Sequence, residues 1–106
     1  MFELHDENIF KMVNVNDLSE KIGKIELIDI REPNEYKNGH IPTAKNIPMK
    51  ALLENMEDYL EKDKEYYIVC QSGVRSLRVS SNLFSSGYNV VNVSGGTSGY
   101  LSDLEK

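Results

Sequence analysis

The stretch from Val69 to Ser76 reads VCQSGVRS and holds the only cysteine of the chain. A cysteine attacks as its thiolate, and an unperturbed pKa of ~8.5 leaves just a few per cent ionised at neutral pH. A helix N-terminus and a nearby guanidinium both lower that pKa, because both favour the anion. Cys70 would have both if a helix opens near Val74 and Arg75 folds back toward the sulfur. Between them, Gln71, Ser72, Gly73 and Val74 can curl so that successive N–H groups point inward as an anion-binding nest. Gly73 suits the backbone angles of such a curl, and Ser72 and Ser76 add hydroxyl donors. The chemistry this predicts is nucleophilic attack by sulfur from the floor of a ring of positive dipoles. A lone cysteine also fits a small buried hydrophobe, and the sharing of one loop by cysteine, glycine and arginine is what favours the nucleophile.

Such a loop has to be held at the end of a strand. Ile25 to Ile30, Glu65 to Cys70 and Tyr88 to Val93 are near-continuous apolar runs, Ala44 to Pro48 is a short fourth, and Phe10 to Val13 a weaker fifth. Runs apolar on both faces suit strands of a parallel sheet covered by helices. Helical patterns separate them. Leu18 and Ile22 follow Asn16 or Asp17 as N-cap, with Gly23 as the stop. Leu52, Leu53, Met56, Tyr59 and Leu60 form one amphipathic stripe. Val79, Leu83 and Phe84 mark a helix ending at Gly87, with Ser80 small enough to approach the sheet, and a last short helix is expected over Gly99 to Leu104. Alternating strands and helices imply right-handed crossovers and an α/β fold: a single, mostly parallel sheet of about five strands with helices on both faces. Ligands of such sheets bind beyond the C-terminal strand ends, which is where the Cys70 loop falls.

With 106 residues the chain is expected to form a single domain, residues 1–106. A net charge of −5 argues against a nucleic-acid or anionic-membrane partner, both of which need a basic face. The first residues, MFELHDENIFKMV, lack the basic and apolar regions of a secretory signal, and no apolar run approaches a membrane span. One cysteine cannot form an internal disulfide, a Cys-x-x-Cys redox pair or a cysteine zinc site. A cytoplasmic protein with no metal and no cofactor is the expectation.

The sequence resembles the rhodanese family of sulfurtransferases, in its single-domain form. LIDIREPNEYKNGHIPTAKNIP (Leu27 to Pro48) is similar to the family's first signature, VCQSGVRS to its active-site loop, and GYNVVNVSGG (Gly87 to Gly96) to the segment after it. The resemblance implies that Cys70 takes the outer sulfur of thiosulfate or a persulfide and passes it to a thiophilic acceptor. That acceptor is cyanide in vitro and a thiol in the cell, with a sulfur-accepting protein among the partners. It also implies that the amides of Gln71 to Arg75 and the Arg75 guanidinium stabilise the anions involved. Related phosphatases and arsenate reductases carry seven residues from cysteine through arginine, whereas Cys70 to Arg75 is six. The residue before Cys70 is Val69, not the histidine usual in cysteine phosphatases. Phosphatase or arsenate reductase chemistry is therefore the alternative enzyme, and a non-catalytic binding module, which typically loses the cysteine or the arginine, the alternative of another class. Two positions depart from the family: Thr43 stands where a glycine is usual, and Tyr100 where a tryptophan is common.

Asp29 and Arg31 fall on the same sheet edge as Cys70, either lining the pocket or forming an ion pair or turn, with Glu32 or Glu35 as partner of Arg31. His40 is expected to bond backbone within the signature turn and His5 to face solvent. Arg78 could add positive field but reads more simply as solvated. Gly95 and Gly96 should let the chain turn beside the active loop, and Glu54 to Glu65 is the polar face of the stripe helix plus a linker.

Overall fold

The computed structural model describes residues 10–106, so His5 lies outside the described residues. Five strands form one sheet: β1 (Lys11–Asn14), β2 (Glu26–Asp29), β3 (Lys45–Asn46), β4 (Glu65–Val69) and β5 (Asn89–Ser94). Their order is β1-β5-β4-β2-β3, and each neighbouring pair is parallel. The helices are α1 (Pro33–Lys37), α2 (Met49–Glu54), α3 (Met56–Tyr59) and α4 (Val74–Ser85). Each run expected as a strand contains one, shifted or trimmed by a residue or so.

The apolar character on both faces has a direct structural cause. Along β4, Tyr66 and Ile68 pack on one side with Ile28, Leu52, Val79, Leu83 and Val90, while Tyr67 and Val69 pack on the other with Leu27, Val91 and Val93. The first side is covered by α2, α3 and α4. The second is covered by a 3-10 turn at Val15–Leu18, by Tyr36 of α1, and by Ile41, Ala44 and Tyr100. Serines and valines make α4 a poor helix former by itself. Burial of Val79 and Leu83, both 0% exposed, contributes about 1.5–3 kcal/mol each and outweighs that deficit. Ser76 and Ser80, also fully buried, let the helix lie close to the sheet.

Three helix expectations need correction. The Leu18–Ile22 segment is only the 3-10 turn Val15–Leu18, capped by Asn14, whose side chain accepts the Asn16 N–H at 2.9 Å. Asn16 does not cap it, because its amide reaches Gly99 O and the Leu101 N–H instead, each at 2.9 Å. The stripe from Leu52 to Leu60 is split into α2 and α3 at Asn55, whose φ of −140° leaves the helix and whose side chain donates to Ala51 O. Gly99 to Leu104 is not helical: a 3-10 turn at Thr97–Gly99 ends in extended Tyr100, and Glu105 pairs with His40. Conversely, α1 stands inside the first signature, started by Pro33 and by the Glu32 N–H donating to Glu35.

Candidate active site

Because β2 and β4 run parallel with Asp29 opposite Val69, their C-terminal ends place Asp29, Arg31 and Cys70 on one edge. Cys70 is fully buried at the end of β4. Its Sγ accepts the N–H of Gly73 at 3.1 Å and that of Ser76 at 3.2 Å, and lies 3.4 Å from Ser76 Oγ. The curl that aims these amides is set from outside. Cys70 O accepts the N–H and hydroxyl of Thr97, and Gln71 O accepts the N–H of Ser98. A trans peptide points its N–H opposite to its C=O, so holding these carbonyls outward turns the Gln71 and Ser72 N–H groups inward and sets the start of the curl that continues to Gly73. Gly73 caps α4 at φ 102°, a left-handed conformation that glycine adopts without penalty. Burial pushes the Cys70 thiol up, but the Ser76 hydroxyl and the backbone N–H groups of Ser76, Gly73 and Ser72 pull it further down, below the ordinary thiol value.

The turn that pins the loop explains the double glycine. Gly96 has φ 63°, and a Cβ there would stand 2.7 Å from Cys70 O and closer still to Gln71 O. Gly96→Ala is expected to displace the cradle and slow the reaction of the Cys70 thiol with an alkylating reagent at neutral pH roughly tenfold, with a melting temperature reduced by a few degrees. An alkylation rate equal to that of the unaltered protein would show that the approach of the two segments does not matter.

The arginines are placed differently from the expectation. Arg75 sits on the first turn of α4, but its Nη1 and Nη2 donate to Glu35 Oε1 and Oε2, each at 2.9 Å. Its guanidinium is raised chiefly by Glu35, with Cys70 a weaker charge partner. The pull on the sulfur therefore comes mainly from hydroxyl and amide donors. Arg31 pairs with neither Glu32 nor Glu35. Both it and Asp29 are buried, with Nη2 to Asp29 Oδ2 at 2.8 Å and Nε between the two carboxylate oxygens. The same guanidinium donates to Gly39 O at 2.7 Å and to Gln71 Oε1 at 2.9 Å, so it ties the first signature to the active loop.

A cleft of about 420 Å³ opens beside the loop, lined by Arg31, Glu35, Asn38, Gln71, Ser98 and Tyr100 among others. A larger one, about 780 Å³, lies at the opposite end of the sheet among Phe10, Met12, Phe84 and Val90, away from Cys70. Val74 is exposed at the loop mouth, as is Arg78 one turn further on. His40 belongs to the signature turn: its ring stacks on Tyr36 at 3.8 Å and its Nδ1 lies 3.0 Å from Tyr36 O. Thr43, in the position where glycine is usual, is the one non-glycine residue with positive φ among the described residues, at 71°. The sequence alone points to neither Thr97 nor Ser98, and to Glu35 only as a partner of Arg31, although Glu35 also stands three residues after Glu32 in the spacing of a capping motif.

A six-residue loop from a buried sulfur to a helix-borne arginine, at the C-terminal edge of a parallel sheet, defines a cysteine-centred anion cradle on an α/β scaffold. Comparison with known proteins gives it a family. The Rhodanese-like domain pattern matches residues 14–103. YtwF of Bacillus subtilis, provisionally named a sulfurtransferase, is 45% identical over 89 residues, covering 81% of this chain and 85% of that protein. A sulfurtransferase of Allochromatium vinosum is 38% identical over 92 residues, covering 80% and 85%. Among solved structures, SSP1007 of Staphylococcus saprophyticus superposes with a TM-score of 0.82 at 35% identity, over 92% of this chain and all of that one. A rhodanese-like domain protein of Staphylococcus aureus gives 0.80 at 36% identity, over 91% and 97%. The chain belongs to the rhodanese-like family, and its role is of the sulfurtransferase type.

Proposed function

We propose that this protein moves a sulfane sulfur from thiosulfate or a persulfide to a thiophilic acceptor, with the sulfur carried on Cys70 as a persulfide. The observation that carries this reading is the cradle itself: the Gly73 and Ser76 amides and the Ser76 hydroxyl converge on one sulfur. Donors fixed around the nucleophile stabilise its anion before attack, and once a second sulfur is attached they stabilise the persulfide anion. Val74 and Arg75 open α4, where backbone N–H groups have no intrahelical partner, and they can meet the charge of the entering donor. The acceptor is cyanide in vitro and a thiol in the cell, on a small molecule or a protein. No helix of the described residues is long and apolar enough to cross a membrane. A reducing cytoplasm suits a site whose only cysteine must stay free.

Intact mass after incubation with a sulfur donor tests the proposal. A gain of one sulfur atom, reversed by cyanide, supports it; no gain with thiosulfate or with persulfides, in folded and reduced protein, refutes it. Arg75→Ala should lower sulfur transfer from thiosulfate by ~10²-fold with the fold retained, because the Glu35 carboxylate is then left unpaired at the mouth against an anionic donor. Unchanged turnover would remove Arg75 from the mechanism.

A further inference from the structure

Each guanidinium that borders the Cys70 loop is matched by a carboxylate, Arg31 by Asp29 and Arg75 by Glu35. Of the groups lining the cleft only Arg31 and Glu35 are charged; Arg75 borders it through Glu35, and the other polar residues, Asn38, Gln71, Thr97, Ser98 and Tyr100, are uncharged. With Cys70 as thiolate, these ionised groups together carry one net negative charge. Glu35 is also fixed in place, because its Oε1 accepts the Glu32 N–H at 3.0 Å as well as Arg75. Held chiefly by its bond to Arg75, its carboxyl has a pKa lowered to about 2, so the pair persists at any working pH.

We infer that Glu35 determines which sulfur donor the site accepts: by engaging Arg75 it withholds the cation that a dianionic donor needs, and so favours alkyl persulfides over thiosulfate. This rests on the sulfur-carrier reading of Cys70. With thiosulfate, the thiolate attacks the outer sulfur, a new S–S bond forms at Cys70, the S–S bond of thiosulfate breaks, and sulfite leaves with the electron pair. Thiolate and dianion together bring three negative charges into the cradle, and persulfide anion and sulfite carry the same three away. With a hydropersulfide RS–SH, the thiolate attacks the terminal sulfur, the RS–S bond breaks, and RS⁻ leaves with the pair while the proton stays on the transferred sulfur. Only one negative charge is present throughout. In both cases Cys70 is oxidised by two electrons to the persulfide level and the donor is reduced by the same two. Gathering three charges against paired guanidiniums is the harder task, since two charges at contact distance repel strongly wherever water is excluded.

The test is the second-order rate of sulfur loading on Cys70, read by intact mass after rapid mixing and quenching, with thiosulfate and with the uncharged-tail persulfide of 2-mercaptoethanol. The unaltered protein should load at least ~10-fold faster from the persulfide. Glu35→Gln keeps an oxygen for the Glu32 N–H while removing the charge. It should raise the ratio of the thiosulfate rate to the persulfide rate roughly tenfold. A merely structural Glu35 would move both rates together. An unchanged ratio in Glu35→Gln overturns the assignment, as does faster loading from thiosulfate in the unaltered protein, a comparison that needs no variant to fold. Loading from neither donor would instead overturn the carrier role of Cys70, and this inference with it.

Discussion

Cys70→Ser is expected to take up no sulfur from any donor and to turn over at the uncatalysed rate, while melting close to the unaltered protein. The oxygen of serine is small enough to occupy the sulfur's place and can still accept the Gly73 and Ser76 N–H groups that now bond Sγ at 3.1 and 3.2 Å. Serine's hydroxyl, however, is not ionised near neutrality and cannot form a persulfide, so both attack and carriage are lost together. The chain has no other cysteine to substitute for it. Intact mass after thiosulfate or persulfide treatment reads the result directly. A sulfur gained by the serine variant would place the carrier elsewhere and dissolve the argument built on the cradle.

Asp29→Asn should have the largest effect on stability. Asp29 and Arg31 have side chains 0% and 3% exposed, and the carboxylate bonds the guanidinium through both oxygens. Removing one partner of a buried ion pair typically costs ~3–5 kcal/mol, because the remaining charge is left without compensation in a poorly polarisable surrounding. Set against a total stability of about 10 kcal/mol, that is enough to lower the melting temperature by about 15 °C or more. Asparagine preserves the shape and one acceptor, so the loss reports the charge. Adding Arg31→Met should recover part of it, since the orphaned charge goes too. It should recover only part, because Gly39 O and Gln71 Oε1 lose their donor. Melting curves of both variants check this, and a single variant as stable as the unaltered protein would show the pair to be dispensable.

How much of this was legible in the sequence depended on whether the cause was local. The strand ends and the Cys70 loop follow from apolar runs and from one glycine before a helix, signals that lie within a few residues of what they specify. The partner of Arg75 did not, since Glu35 is forty positions away and reaches it only because β2 and β4 are neighbours. The same holds for Thr97 and Ser98, whose bonds to the loop carbonyls depend on β5 lying beside β4. Helices were overextended where a side chain captured a group that a helix would have used, as Asn16 does with the Leu101 N–H and Asn55 with Ala51 O. The family's usual glycine near position 43 also gained a physical meaning: the backbone there is left-handed, and threonine adopts it at a cost of order 1 kcal/mol or more.

The strand order has a consequence for how the protein is made. Of the described strands β1 is the first to leave the ribosome, yet among them its partner is β5, the last. Strands β2, β3 and β4 can associate while synthesis continues, but Lys11 waits for Val91 before its first ladder bond can form. The Thr97–Ser98 turn that holds the Cys70 and Gln71 carbonyls at the start of the cradle follows β5 and emerges later still. A nascent chain thus carries its thiol before it has the means to activate it. Closing the longest loop in the topology, the slowest kind of contact to form, also completes the nucleophile.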